Sequence, residues 1–124
     1  MSLSNFLETA LCNHLRGGTA YTQPTNLYVK LHLGDAGEAG TANAAAETTR
    51  IEVTFGAPSD GVMLNDAEVL WEAVSTTESY THFSVWDDVS AGNNLGAGAL
   101  GATVEITAGE DARFAVGALS WTFA

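Results

Sequence analysis

The chain opens on a helical rhythm and then changes to a strand rhythm for the rest of its length. Leu3, Phe6, Leu7, Ala10, Leu11, His14 and Leu15 recur at i, i+3, i+4 and i+7, which is one face of a helix. The spacing predicts a helix over 3–16. Ser4 is placed to cap its start, Glu8 lies in its first turns, Arg16 suits its negative C-terminal end, and Gly17-Gly18 stops it. So apolar a stripe needs a partner surface, either the chain's own sheet or a neighbouring subunit. Cys12 falls inside the stripe and reads as a small buried hydrophobe.

From Leu27 the period is two. Leu27, Val29, Leu31 and Leu33 alternate with Tyr28, Lys30 and His32, and Ile51, Val53 and Phe55 alternate with Glu52 and Thr54. Further strands are predicted at 69–71, 80–86, 95–100, 104–106, 112–116 and 119–123, with turn signals such as Pro58-Ser59-Asp60-Gly61, Asn65-Asp66 and Gly92-Asn93-Asn94 between them. Short strands at this spacing predict a mainly β fold, an antiparallel two-sheet β-sandwich or a jelly-roll-like barrel with one N-terminal α-helix. Strands and helices do not alternate, which argues against a doubly wound α/β fold. The 124 residues fit one domain, 1–124.

Two stretches break the simple pattern. Residues 34–49 hold only small and polar side chains, predicting a long flexible loop: a hairpin tip, or an arm that orders against a neighbouring subunit. In 80–86, Tyr80, His82 and Trp86 share one face while Phe83 and Val85 share the other. A strand apolar on both sides is central in a sandwich or covered by another chain, and the second case points to an oligomer. Trp121, in phase with Leu119 and Phe123, is expected in the core.

Charge narrows the partners. Four Lys plus Arg against fifteen Asp plus Glu give a net charge of −11. Nucleic-acid binding needs clustered cations to displace counterions from phosphates, so neither nucleic acid nor an anionic membrane surface is expected as a partner. One cysteine allows no internal disulfide. No stretch reaches the ~20 apolar residues of a membrane span, and the N-terminus lacks the pattern of a secretory signal, so folding in a cytoplasm is expected.

Candidate chemistry is sparse. His14, His32 and His82 are dispersed, with His32 expected on a strand's outer face, and no G-x-S-x-G elbow is present. One Cys and three scattered His do not supply a zinc site, and the acid pairs Asp87-Asp88 and Glu110-Asp111 do not follow calcium-loop spacing. The reading is a non-enzymatic protein with no catalytic residue, metal or cofactor. Trp71, Trp86 or Tyr80 could serve as stacking platforms in a carbohydrate-binding module, although a strand aromatic is ordinarily core.

The order of segments then becomes informative. Leu3-Ser4-Asn5-Phe6-Leu7-Glu8-Thr9-Ala10-Leu11, Asn13-His14 and Thr19-Ala20-Tyr21-Thr22-Gln23-Pro24 lead into Leu27-Tyr28-Val29-Lys30-Leu31-His32. Later come Arg50 with Val53-Thr54-Phe55-Gly56-Ala57, then Thr81-His82-Phe83-Ser84-Val85-Trp86-Asp87, then Ala108-Gly109-Glu110-Asp111-Ala112-Arg113-Phe114-Ala115. This order resembles a family of small tailed-phage virion proteins, variously labelled tail-fibre-like, minor tail or head decoration proteins. The acidity and the Ala/Gly-rich 35–47 stretch depart from it.

The resemblance implies a β-rich structural component of the virion without enzymatic activity. The leading expectation is a capsid decoration (cement) protein, a homotrimer bound outside the head to the major capsid protein, shifting assembly towards the shell by mass action. The alternative is a tail, baseplate or fibre adaptor, or a receptor-binding component, contacting another virion protein. Subunit contacts are expected at Leu3, Phe6, Leu7, Leu11 and Leu15 on the helix and at Asp35 and Glu38 on the long loop. The fold reading predicts a far-UV circular dichroism spectrum dominated by β signal with a minor helical part; a helix-dominated spectrum would overturn it.

Overall fold

The computed structural model describes residues 3–123. One helix, α1 (Asn5–Leu15), precedes eight strands: β1 (Leu27–His32), β2 (Ile51–Val53), β3 (Val62–Leu64), β4 (Val69–Trp71), β5 (Glu78–Trp86), β6 (Asn94–Ile106), β7 (Ala112–Phe114) and β8 (Ser120–Thr122). The fold is mainly β and antiparallel throughout, as the period-two pattern predicted.

A four-stranded sheet in the order β2-β1-β5-β6 forms one layer. In its register Val29 pairs with Val85 and Leu31 with Phe83, so these four side chains share a face. The two-stranded ribbons β3-β8 and β4-β7 cover that face with Val69, Trp71, Ala112, Phe114 and Trp121, joined by Leu119 just before β8, all buried in one apolar core. Trp71 meets Phe114 edge-on, with ring centroids 5.6 Å apart. The described residues form no closed barrel, which removes the jelly-roll-barrel alternative. The ribbon strands are three residues long and stay separate from the sheet's ladder.

Several boundaries differ from the sequence expectation. Residues 95–100 and 104–106 belong to one strand, β6, with a wide bulge. Tyr80 pairs with Val104 and His82 with Ala99, so one residue of β5 opposes four of β6. Strand β3 gave no periodic signal because three residues are too few. It forms because Asp60 and Gly61 both take positive φ (51° and 75°), closing a tight turn between Ser59 and Val62. β1 ends at His32, leaving Leu33 exposed, and β2 ends at Val53. Phe55 beyond it bridges to Asn65 and packs 5.8 Å from Trp121.

The helix packs on the chain's own body. Ser4 caps it, accepting from the Leu7 N–H at 3.1 Å, and ties it to β6 through Ser4 N–H to Leu95 O at 2.9 Å. At its other end Gly17 N–H donates to His14 O and Gly18 N–H to Asn13 O, a Schellman closure with Gly17 at φ 80°. Leu7 is buried, and Leu3 and Leu11 pack partly against the core. Cys12 is exposed, contrary to expectation, because one position past Leu11 turns the side chain about 100° around the helix.

Residues 34–49 fold back onto the sheet. Leu33 N–H donates to Asn43 O at 2.8 Å, Ala45 N–H to Leu31 O at 3.3 Å, and Ala42 N–H to Ala36 O at 3.0 Å. Ala36 and Ala45 are buried, and the Glu78 carboxylate receives the Ala46 N–H. On the ribbon side, Asn65 is a buried clip: its side chain donates to Ala67 O and Ala115 O and accepts from Leu119 N–H.

Gly98 exposes how tightly sheet and ribbon meet. A Cβ there would lie 2.6 Å from Phe83 Cζ and 3.2 Å from Ser120 O. Gly98→Ala is expected to lower unfolding free energy by about 1–3 kcal/mol through overpacking. Gly101→Ala, whose Cβ meets nothing within 4 Å, should stay within about 0.5 kcal/mol of the parent. Urea denaturation of both variants checks the pair.

Candidate functional site

The sheet's second face carries Tyr28, Lys30 and His32 on β1, then His82, Ser84 and Trp86 on β5, because they alternate with the core residues. His32 lies on this face as expected, yet it is fully buried because residues 34–49 cover it. Its Nδ1 lies 2.8 Å from Ala42 O, which accepts only, so Nδ1 carries the proton. Nε2 must then accept, and Ser84 Oγ donates to it at 2.7 Å; Ser84 Oγ in turn accepts from Trp86 Nε1–H at 2.8 Å. The chain Trp86–Ser84–His32–Ala42 is directional and leaves each of its polar groups satisfied. Burial, first of all, lowers the His32 pKa, with Lys30 and His82 charges adding to it against the hydrogen bond to Ala42.

A serine donating to a histidine resembles an activated nucleophile. Here neither Ser84 nor His32 has any exposed surface, and a backbone carbonyl stands where an acid would orient the base. The pair holds the loop to the sheet.

Trp86 continues this buried set to the surface. Its ring lies under Arg50, whose guanidinium carbon is 3.8 Å from the ring centroid. Arg50 Nη1 donates to Asp88 O at 2.9 Å and Ala91 O at 2.7 Å, gripping the β5–β6 turn. Within that turn Asp87 accepts from the Asn93 N–H at 2.7 Å and from its side-chain amide at 3.3 Å. Asp88 accepts from Ser90 and Ala91 N–H, and these hydrogen bonds lower its pKa. The acid pair thus shapes a turn. Among the described residues no group of three or more His, Cys, Asp or Glu side chains could hold a metal, and no helix is long and apolar enough to cross a membrane.

Beside this turn lies a groove of about 850 Å³ between α1 and residues 19–25, reaching Asp87 and Asn93 at one end. Tyr21 is fixed in its wall by its N–H, which donates to His14 Nδ1 at 3.1 Å. A smaller hollow of about 360 Å³ adjoins it, where Phe6, Glu38, Trp86 and Asn93 meet.

These positions sort the expected contact residues. Phe6 and Glu38 come together, from helix and loop, around one hollow. Leu15 stands apart and is 83% exposed, while Leu3, Leu7 and Leu11 face the chain's own body. Asp35 is exposed, but its carboxylate accepts from Gly37 N–H and its carbonyl from the Asn43 amide, which stabilises the loop itself. The stacking platforms proposed from sequence are corrected: Trp71 and Tyr80 are core, and Trp86 is 8% exposed beneath Arg50. Sequence patterning assigned no site role to Tyr21 and Asn93, which lie outside any periodic segment, or to Arg50, whose ring partner is 36 positions away.

Residues 2–122 match the family described as Podophage GP4 fiber I protein gp80. The chain belongs to that family. A search of curated proteins finds no match. The family match runs through the helix, the groove, the covering loop and every strand. It makes the chain a fibre-type structural protein of a phage virion and points to a non-enzymatic role.

The buried relay gives this fibre-family member a defined acid response. The folded chain holds His32 below its ordinary pKa of 6.5, so between the two values the unfolded chain binds the extra proton. Stability from this group is complete above pH 6.5 and falls as pH drops through the folded pKa. In an NMR titration His32 should therefore titrate below 6.5. Ser84→Ala leaves Trp86 Nε1–H and His32 Nε2 without partners and should lower unfolding free energy by about 1–3 kcal/mol.

Proposed function

We propose that the protein is a structural component of a podophage fibre apparatus, held there by contact with a neighbouring virion protein. The match to a fibre protein family from helix to last strand carries this reading. Sequence alone ranked decoration of the head first and a tail or fibre role second; the family's fibre designation favours the second. The sandwich suits a part that positions other parts, because one face of its sheet is packed in the core and its long loop is bonded down over part of the other.

The two-faced strand that suggested an oligomer is covered by the chain's own loop and Arg50. Contacts with neighbours, whether other virion proteins or copies in a trimer, therefore fall to exposed residues. Leu15, at the helix end, is the foremost of those expected, with Asp35 and Glu38 supplying polar contacts.

Labelling intact virions with a gold-tagged antibody against the chain tests the assignment. Label on the tail fibres is expected, and label spread over the head shell would overturn it in favour of decoration. Leu15→Asp should weaken incorporation about tenfold or more, since burying a leucine contributes ~1.5–3 kcal/mol. Its melting temperature should match the parent's.

A further inference from the structure

We propose that the groove between α1 and residues 19–25 binds a neutral oligosaccharide. The inference goes beyond the fibre assignment and rests on the groove's own chemistry, wherever on the particle the protein sits. At about 850 Å³ the groove falls within the size range of small-ligand sites. Two aromatic side chains line it: Phe6, 42% exposed, and the half-buried Tyr21. An aromatic ring presents a flat apolar face, which suits the C–H face of a sugar ring. These rings differ from the buried ones that the sequence put forward.

The same lining carries the amides of Asn5, Gln23 and Asn93 and the carboxylate of Asp87. Amides both donate and accept, and a carboxylate accepts at two oxygens, so together they match hydroxyl groups that also do both. The polar end is set before any ligand arrives, because the two Asn93 donors fix the orientation of Asp87. The phenol of Tyr21 shares that wall: its pKa is raised by burial and then by the Asp87 charge. Among the described residues, the one partner found for a backbone group of residues 19–25 is His14 Nδ1, which accepts from Tyr21 N–H. The other backbone groups of the wall are left for water or a ligand.

The lining also excludes competitors. It contains no lysine or arginine, and the chain's net charge is −11, so phosphate, carboxylate or sulfate groups would meet repulsion without a counter-charge. An apolar helix would need a continuous apolar trough, whereas this lining carries the amides of Asn5, Gln23 and Asn93 and the Asp87 carboxylate as well as the two rings.

The test uses the full chain, ¹⁵N-labelled, titrated separately with maltotriose, cellotriose and tri-N-acetylchitotriose at millimolar concentrations, with calorimetry for affinity. At least one sugar is expected to shift the Tyr21 and Asn93 resonances saturably. Phe6→Ala and Tyr21→Ala should each weaken that binding at least tenfold. Phe6 is exposed, so Phe6→Ala should keep the parent's melting temperature; if Tyr21→Ala unfolds, Gln23→Ala takes its place. Binding by none of the three sugars overturns the proposal, and so does binding that Phe6→Ala leaves unchanged. A lysine-rich peptide that shifts the same resonances when the sugars do not would make the groove a protein-docking surface instead. None of these outcomes bears on the antibody labelling, so this proposal and the fibre assignment fail separately.

Discussion

A strand with large side chains on both faces has to be covered twice, and β5 imposes that constraint on the whole molecule. Phe83 and Val85 face the ribbons, where two tryptophans and Phe114 close the core over them. Ser84 and Trp86 face the other way, and residues 34–49 with Arg50 cover them. The second cover brings polar groups under it, and an unpaired buried polar group is costly. The relay from Trp86 through Ser84 and His32 to Ala42 answers that need, joining indole, hydroxyl, imidazole and carbonyl in one direction.

The composition of the long loop follows from the same constraint. Three of its small residues, Ala36, Gly40 and Ala45, lie buried where the chain returns over the sheet. A Cβ on Gly40, itself at φ 72°, would collide with the amide of Asn94, and Ala36 and Ala45 are small enough to be buried beneath the returning chain. What reads as a flexible composition is also the composition of close backbone packing.

The consequence for function is a fixed frame. Arg50 grips the β5–β6 turn, the two bonds from Asn93 orient Asp87, and His14 fixes Tyr21 across the helix end. Loop, helix and hairpin therefore present one surface whose members come from residues far apart in the chain. A surface so braced presents its residues to solvent without first having to order them.

Much of this was legible in the sequence because it depends on local chemistry. The 3.6-residue spacing of Leu3, Leu7 and Leu11, the Ser4 cap and the Gly17-Gly18 stop specified the helix to within two residues at its start and one at its end. Alternation specified β1 and β5 and put Trp121 in the core. Tertiary structure alone decided what those elements touch. Periodicity states which side chains share a face and is silent on what covers it, so His32 could be put on the outer face but not beneath the loop. It is silent too on a three-residue strand such as β3, and on a groove assembled from Phe6, Tyr21 and Asn93. Such groups meet through chain reversals and long-range pairing, whose energies depend on partners tens of residues away.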